Sequence, residues 1–124
     1  MKIAISSTGK NLQDEIDARF GRCSYFLIVE IDEKNKKIKD FKAIENTAKS
    51  QMGGAGITSS EIVAKQEVDA VITVNLGPRA LSVFEQFNIK IYQGEGKINE
   101  VVQMFLEGKL KQITNATGPG HHGN

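Results

Sequence analysis

The chain has 124 residues and a mass of 13.6 kDa, which is the size of a single domain, because hydrophobic cores are organised in units of about 100–200 residues. Its apolar fraction of 40% and its charged fraction of 25% exclude a disordered or fibrous protein. The 16 Lys and Arg residues against 15 Asp and Glu leave a net charge of +1, which provides no broad field for gathering nucleic acid.

Membrane and disulfide signals are both missing from the sequence. The longest wholly apolar run, Tyr25 to Val29, is far shorter than the roughly 18 residues that a membrane-spanning helix needs, and the first seven residues lack the apolar core of a signal peptide. The single cysteine, Cys23, cannot form a disulfide within the chain. We therefore expect a cytoplasmic, monomeric domain that binds neither nucleic acid nor membrane.

Hydrophobic periodicity divides the chain into strands and helices. Alternating or continuous runs rich in β-branched residues predict strands, and apolar residues at spacings of three and four predict helices. A Lys-rich, less apolar segment after a polar turn predicts an exposed hairpin strand. The predicted elements are strands at 2–7, 25–31 and 37–45, a helix at 57–67, a strand at 69–74, a helix opened by Gly77 and Pro78 with Ala80, Leu81, Phe84 and Phe87 inward, a strand at 89–92, and a helix at 98–106. We expect residues 1–113 to form the domain and residues 114–124 a flexible Gly/His tail.

This order of elements predicts an α/β fold with three layers. A leading meander followed by right-handed crossovers gives a mixed five-stranded sheet in the order 3-2-1-4-5, with helices on both faces. The arrangement resembles the ribonuclease-H-like architecture. Lys37, Lys39 and Lys42 on the third strand either blunt an exposed sheet edge or form an anion-binding patch.

The predicted strand directions bring several loops to one edge of the sheet. Open α/β sheets bind ligands at the carboxyl ends of their strands where the strand order reverses, here between the first and fourth strands. The candidate ligand-binding residues at this edge are Ser6, Ser7, Phe20, Gly21, Arg22, Gly53, Gly54, Gly56, Asn75, Gly77 and Pro78.

Two of these loops contain glycine and precede a helix. The free N–H groups and positive dipole end of a helix favour an anion. Glycines also make a tight entry into a helix, and the pattern leaves the two interpretations open. Gly53 to Gly56 is not a phosphate-binding Walker loop, because no Gly-Lys-Ser/Thr follows it.

Three residues are candidate metal ligands. Cys23 is either a small buried hydrophobe or a thiolate favoured by the neighbouring Arg19 and Arg22. His121 and His122 belong either to a disordered end or, together with Cys23, to a site for a soft metal.

Four motifs occur in one order along residues 1–113. They are Phe20-Gly21-Arg22-Cys23, Gly53-Gly54-Ala55-Gly56-Ile57, Asp69-Ala70-Val71-Ile72 followed by Gly77-Pro78, and Ile89-Lys90-Ile91-Tyr92. The chain thereby resembles the nitrogenase iron–molybdenum cofactor biosynthesis (NifX-like) domain family. The resemblance implies a ribonuclease-H-like fold, carriage of an iron–sulfur or iron–molybdenum cluster precursor, and contact with cofactor-assembly proteins. Members of the family often have His where this chain has Arg19, so that ligand is not carried over.

These observations favour a non-enzymatic accessory or carrier domain. A two-metal nuclease needs converging carboxylates, but the first strand ends in Ser6 and Ser7 and the fourth is followed by Asn75. Both histidines lie in the tail, so the predicted folded part offers no imidazole as a general base. The alternative is a module that binds a small anion or a nucleotide at the same edge without metal.

Overall fold

The alternating apolar residues of the N-terminus form the first strand of one mixed sheet in the computed structural model, which describes residues 1–116. The strands are β1 (Lys2–Ser7), β2 (Tyr25–Asp32), β3 (Lys37–Glu45), β4 (Ala70–Thr73), β5 (Lys90–Gln93) and β6 (Lys111–Gln112). The helices are α1 (Ala55–Ala64), α2 (Pro78–Gln86) and α3 (Ile98–Leu106), with a 3-10 turn at Phe20–Arg22. Within residues 1–116, no helix has the length and apolar character needed to cross a membrane.

The sheet has the order β3-β2-β1-β4-β5-β6, which confirms the predicted order and adds a sixth strand. β1 and β4 are parallel, as are β4 and β5, whereas β2 is antiparallel to both β1 and β3. The five-strand prediction missed β6 because its two residues, Lys111 and Gln112, are polar and exposed and so carry no strand pattern. β6 pairs antiparallel with the end of β5 through Tyr92 and Gln93.

Each face of the sheet has its own apolar core, because successive strand residues point to opposite sides. On one face Ala4, Phe26 and Val71 pack with residues of α1 and α2. On the other face Ile3, Ile5 and Ile72 pack with α3. The predicted three-layer arrangement is therefore confirmed, with two helices on one face and one on the other.

Two local predictions were wrong. Helix α1 begins at Ala55 and ends at Ala64, whereas the pattern placed it at 57–67; Glu67 takes a left-handed φ of 58° that no helix continues through. Phe87, predicted to face the core with Phe84, is 58% exposed because α2 ends at Gln86 and the chain turns there.

Gly94 packs α3 closely against the end of β5. A Cβ atom added at Gly94 would lie 2.4 Å from Val101 Cγ1 and 3.1 Å from Ile72 Cγ2, both in the core. We expect Gly94→Ala to lower the free energy of unfolding by about 1–3 kcal/mol through overpacking. Gly53→Ala is the control, because a Cβ there meets nothing within 4 Å, and should change it by less than about 0.5 kcal/mol. Urea unfolding measures both; equal stabilities would show that this contact is not tight.

Candidate functional site

The carboxyl ends of β1, β4 and β5 lie at one side of the sheet, as predicted, and the loops that follow them meet there. We call this region the loop edge; it comprises residues 6–9, 17–23, 46–56 and 75–79. The backbone of Arg19 forms a bridge with Asn75. A Cβ added at Gly21 would lie 3.1 Å from Gly56 N, so the 3-10 turn lies directly against the first turn of α1. The structure thus brings together the four predicted segments.

The hydroxyl groups of Ser6 and Ser7 hold this edge together. Both residues are fully buried. Ser6 Oγ donates to Asp17 O and lies 2.9 Å from Thr73 Oγ1, which links β1 to β4. Ser7 Oγ donates to Gly9 O at 2.6 Å. The side chains of these two predicted ligand-binding residues therefore form hydrogen bonds that stabilise the loops.

Asn46 was missed by the sequence analysis and joins three segments of the loop edge. Its side chain is buried, and Nδ2 donates to Gly21 O at 3.2 Å and to Cys23 O at 3.0 Å. Its Oδ1 accepts from Ala48 N and lies 3.1 Å from Ser59 Oγ on α1. One asparagine directly after a strand is an ordinary turn signal, so nothing in the sequence distinguishes it.

Phe20 and Arg22 support the edge from either side of Gly21. Phe20 is buried, and its ring centroid lies 5.1 Å from that of Phe26 and 5.5 Å from that of Phe84. Arg22 Nη1 donates to Lys49 O at 2.9 Å and also to Gln51 O. The guanidinium group thereby fixes the loop that leads into α1.

The N-termini of α1 and α2 both open at the loop edge without a side-chain cap. Gly54 and Gly77 are the respective N-cap residues, and Pro78 is the first residue of α2. Gly54 needs its glycine because its φ is 71°. Gly53, Gly56 and Gly77 have no positive φ, and a Cβ at any of them would meet nothing within 4 Å. Backbone geometry therefore explains one glycine, while the others leave open surface beside two positive helix ends.

The N-terminus of α3 is closed by contrast. Ile98 N donates to Asp14 O and Asn99 N donates to Leu12 O, each at 2.9 Å. These bonds satisfy two of the N–H groups that a helix start leaves without intrahelical partners.

Cys23 lies beneath the loop edge with no exposed surface. Burial is the main cause that raises the pKa of its thiol to about 12. The guanidinium groups of Arg19 and Arg22 hydrogen-bond to Asp17 and to loop carbonyls. The side chain that donates to Cys23 Sγ is the amide of Asn46, at 3.8 Å. Of the two interpretations of Cys23, the geometry favours the small buried side chain.

The described part of the chain contains no cluster of side chains that could bind a metal ion. Across residues 1–116, no group of three or more His, Cys, Asp and Glu side chains could hold a metal ion. His121 and His122 lie outside the described residues.

We expect Cys23 to resist iodoacetamide at pH 8 in the folded protein, because the thiolate is the reactive form and its pKa is about 12. The same thiol should react fully after unfolding in urea. Mass spectrometry after timed labelling measures both rates, and rapid labelling of the folded protein would contradict the buried geometry.

We expect Asn46→Ala to lower the free energy of unfolding by about 2–3 kcal/mol, because it leaves the buried Cys23 carbonyl without its side-chain donor and the Ala48 N–H group without its acceptor. Thr47→Ala, at the neighbouring exposed position, should cost less than about 0.5 kcal/mol. Urea titration compares the two, and a tolerated Asn46→Ala would show that water replaces the amide.

Comparisons with known proteins agree with this architecture. The chain matches the model of the dinitrogenase iron-molybdenum cofactor family over residues 1–108. Two uncharacterized proteins of Methanocaldococcus jannaschii are similar to it: one is 43% identical over 114 residues, covering 91% of this chain and 92% of that protein, and the other is 32% identical over 116 residues, covering 93% and 96%. The apo form of the orange protein from Desulfovibrio gigas has a TM-score of 0.84 at 28% identity, covering 94% of this chain and 96% of that one. The chain therefore belongs to the dinitrogenase iron-molybdenum cofactor family.

Proposed function

We propose that this domain is a non-enzymatic carrier that transiently binds an anionic iron–sulfur or iron–molybdenum cofactor precursor at the loop edge and exchanges it with cofactor-assembly proteins. The observation that carries the proposal is the convergence of two uncapped helix N-termini, at Gly54 and Gly77, on one open surface. Membership of the family supports the class of cargo.

Hydrogen-bond donors suit such a cargo. Metal–sulfide clusters with anionic ligands present negatively charged acceptor atoms, and the first N–H groups of a helix have no partner within the helix. Gly53 and Gly77 project no side chain, so a bulky cluster can approach the backbone there, whereas Gly56 N lies against Gly21. A cargo held by hydrogen bonds leaves without breaking a metal–ligand bond, which suits transient binding.

Direct metal ligation by Cys23, His121 and His122 is a separate part of the proposal. A bond from Cys23 to metal requires the edge to open, because the thiol is fully buried beneath it. In this part of the proposal, His121 and His122 are imidazole ligands to the same cargo. The variant Cys23→Ser and a truncation after Thr117 test the thiol and the histidines separately.

The absence of turnover is supported by the chemistry of the edge. Backbone N–H groups bind anions but do not exchange protons as a general acid or base does. Two hydroxyl groups of the edge, those of Ser6 and Ser7, are buried and form hydrogen bonds with loop carbonyl groups. The edge therefore has the donors of a binding surface.

Gly77 allows a sharp test of this proposal. Its extended backbone, with φ of −74° and ψ of 168°, suits an N-cap residue, and a Cβ there meets nothing within 4 Å. Gly77→Asp and Gly77→Asn should both fold and keep or slightly raise the stability of α2. We expect the aspartate variant to bind isolated iron–molybdenum cofactor at least about tenfold more weakly than the asparagine variant, because a carboxylate repels an anion at close range.

Anaerobic titration followed by visible absorption and metal analysis measures this difference, with wild type and Cys23→Ser in parallel. Stoichiometric uptake by wild type, lowered by Gly77→Asp, supports binding at the loop edge. Loss in Cys23→Ser assigns a ligand to the thiol. Absence of uptake by wild type contradicts the carrier proposal.

A further inference from the structure

We infer that Arg19 is the side chain that contacts the anionic ligand atoms of the cargo, and that Asp17 is the positioning residue that fixes its guanidinium group. This inference rests on the proposed function. Within residues 1–116, the side chains of these two residues form hydrogen bonds only within the pair.

Asp17 is anchored at the junction of the two central parallel strands. Its backbone N donates to Ser6 O at 3.0 Å, and its carbonyl accepts from Ser6 Oγ at 2.9 Å. Ser6 Oγ in turn lies 2.9 Å from Thr73 Oγ1 at the end of β4. Asp17 itself is only 6% exposed, so its carboxylate has little freedom to move.

The carboxylate of Asp17 accepts hydrogen bonds from the Arg19 guanidinium group on both of its oxygens. Arg19 Nε donates to Oδ1 and Arg19 Nη2 donates to Oδ2, each at 3.2 Å. The side chain of Arg19 is nevertheless 71% exposed. A guanidinium group has five N–H donors, so this fork leaves three of them, both on Nη1 and one on Nη2, directed away from Asp17.

The position of Arg19 places those donors at the loop edge. Its backbone bridges to Asn75, two residues before the N-cap of α2, and Phe20 and Gly21 follow it against the first turn of α1. Arg22 differs in that its Nη1 is committed to the carbonyl groups of Lys49 and Gln51.

A purely structural role does not need this geometry. Closing the turn from Asp17 to Arg19 requires one bond, Arg19 N to Asp17 Oδ1 at 2.9 Å. The second carboxylate oxygen serves only the exposed guanidinium group. Fixing a long side chain removes rotamer entropy in advance, so a ligand that meets it loses less on binding.

The chemistry of arginine selects the atoms it can meet. A guanidinium group has no lone pair for a metal, so it contacts sulfide, oxide or carboxylate acceptors on the outside of a cluster. Because Asp17 balances its charge, binding depends on direct hydrogen bonds more than on long-range attraction. The pair therefore favours cargo whose acceptor atoms match the spacing of the free guanidinium N–H groups, and it allows the cargo to dissociate.

Four variants, each titrated with isolated iron–molybdenum cofactor as above, test the inference. Arg19→Ala should weaken binding about tenfold or more, the range expected for losing a charge-assisted hydrogen bond. The affinity of Arg19→Lys should fall between that of Arg19→Ala and that of wild type, because an ammonium group cannot form the paired hydrogen bonds of a guanidinium group. Asp17→Asn should weaken binding several-fold, since its amide NH₂ would face a guanidinium N–H, although its Oδ1 still closes the turn. Lys39→Ala is the control, because Lys39 is an exposed cation near the start of β3, at the opposite end of the sheet from the loop edge; it should leave binding unchanged.

The double variant Asp17→Asn with Arg19→Ala separates binding from stability. It removes the carboxylate that Arg19→Ala leaves without its partner, so its unfolding midpoint should return towards that of wild type. Under our inference its affinity stays as low as that of Arg19→Ala.

Recovery of affinity together with stability would overturn the inference, as would full affinity in Arg19→Ala or undiminished affinity in Asp17→Asn. In each of these cases wild type still binds, so the proposed function stands. Failure of wild type to bind overturns both.

Discussion

The loop edge depends on one buried amide. Asn46 meets the carbonyl groups of Gly21 and Cys23, the N–H group of Ala48 and the hydroxyl group of Ser59, and these groups belong to three separate segments. Buried polar groups without partners are costly, so the 3-10 turn, the loop after β3 and helix α1 hold one another in place through this side chain. A direct hydrogen bond from Ser59 Oγ to Gly21 O, 3.1 Å long, reinforces the approach of the turn to α1.

Topology was the part of the structure that the sequence could predict. Apolar periodicity located β1 and α3 with their observed bounds, and a polar turn followed by a Lys-rich segment located β3. The right-handed crossovers then favoured the observed order of the first five strands. The sixth strand could not be predicted, because two exposed polar residues carry no periodic signal. The displaced start of α1 has a related cause: Ala55 has only a small apolar side chain and Gly56 has none, so the apolar pattern does not mark the first turn and local backbone geometry decides where the helix begins.

The roles of single polar residues at the edge were beyond the reach of sequence patterns. Arg19 and Arg22 are equivalent in the sequence, both beside Phe20-Gly21, but their guanidinium groups meet a carboxylate in one case and two carbonyl groups in the other. Those partners are set by loop paths that no periodicity encodes. The sequence showed that glycines cluster before α1 and α2, but it could not show which of them the backbone requires. The φ values separate Gly54, whose positive φ needs glycine, from the glycines that lie beside open space.

The closed start of α3 makes the two faces of the sheet unequal. The segment from Leu12 to Ile16 crosses that side of the edge, where its carbonyl groups accept from Ile98 and Asn99 and Ile16 N donates to Gly96 O. Within residues 1–116, the first N–H groups of α1 and α2, on the other face, have no such bonds to a loop. The two sides of the loop edge therefore differ in the hydrogen bonds they can offer. On one side the first helix N–H groups can donate to a bound molecule, and on the other they already donate to a loop. The fold thereby sets the side from which such a molecule binds.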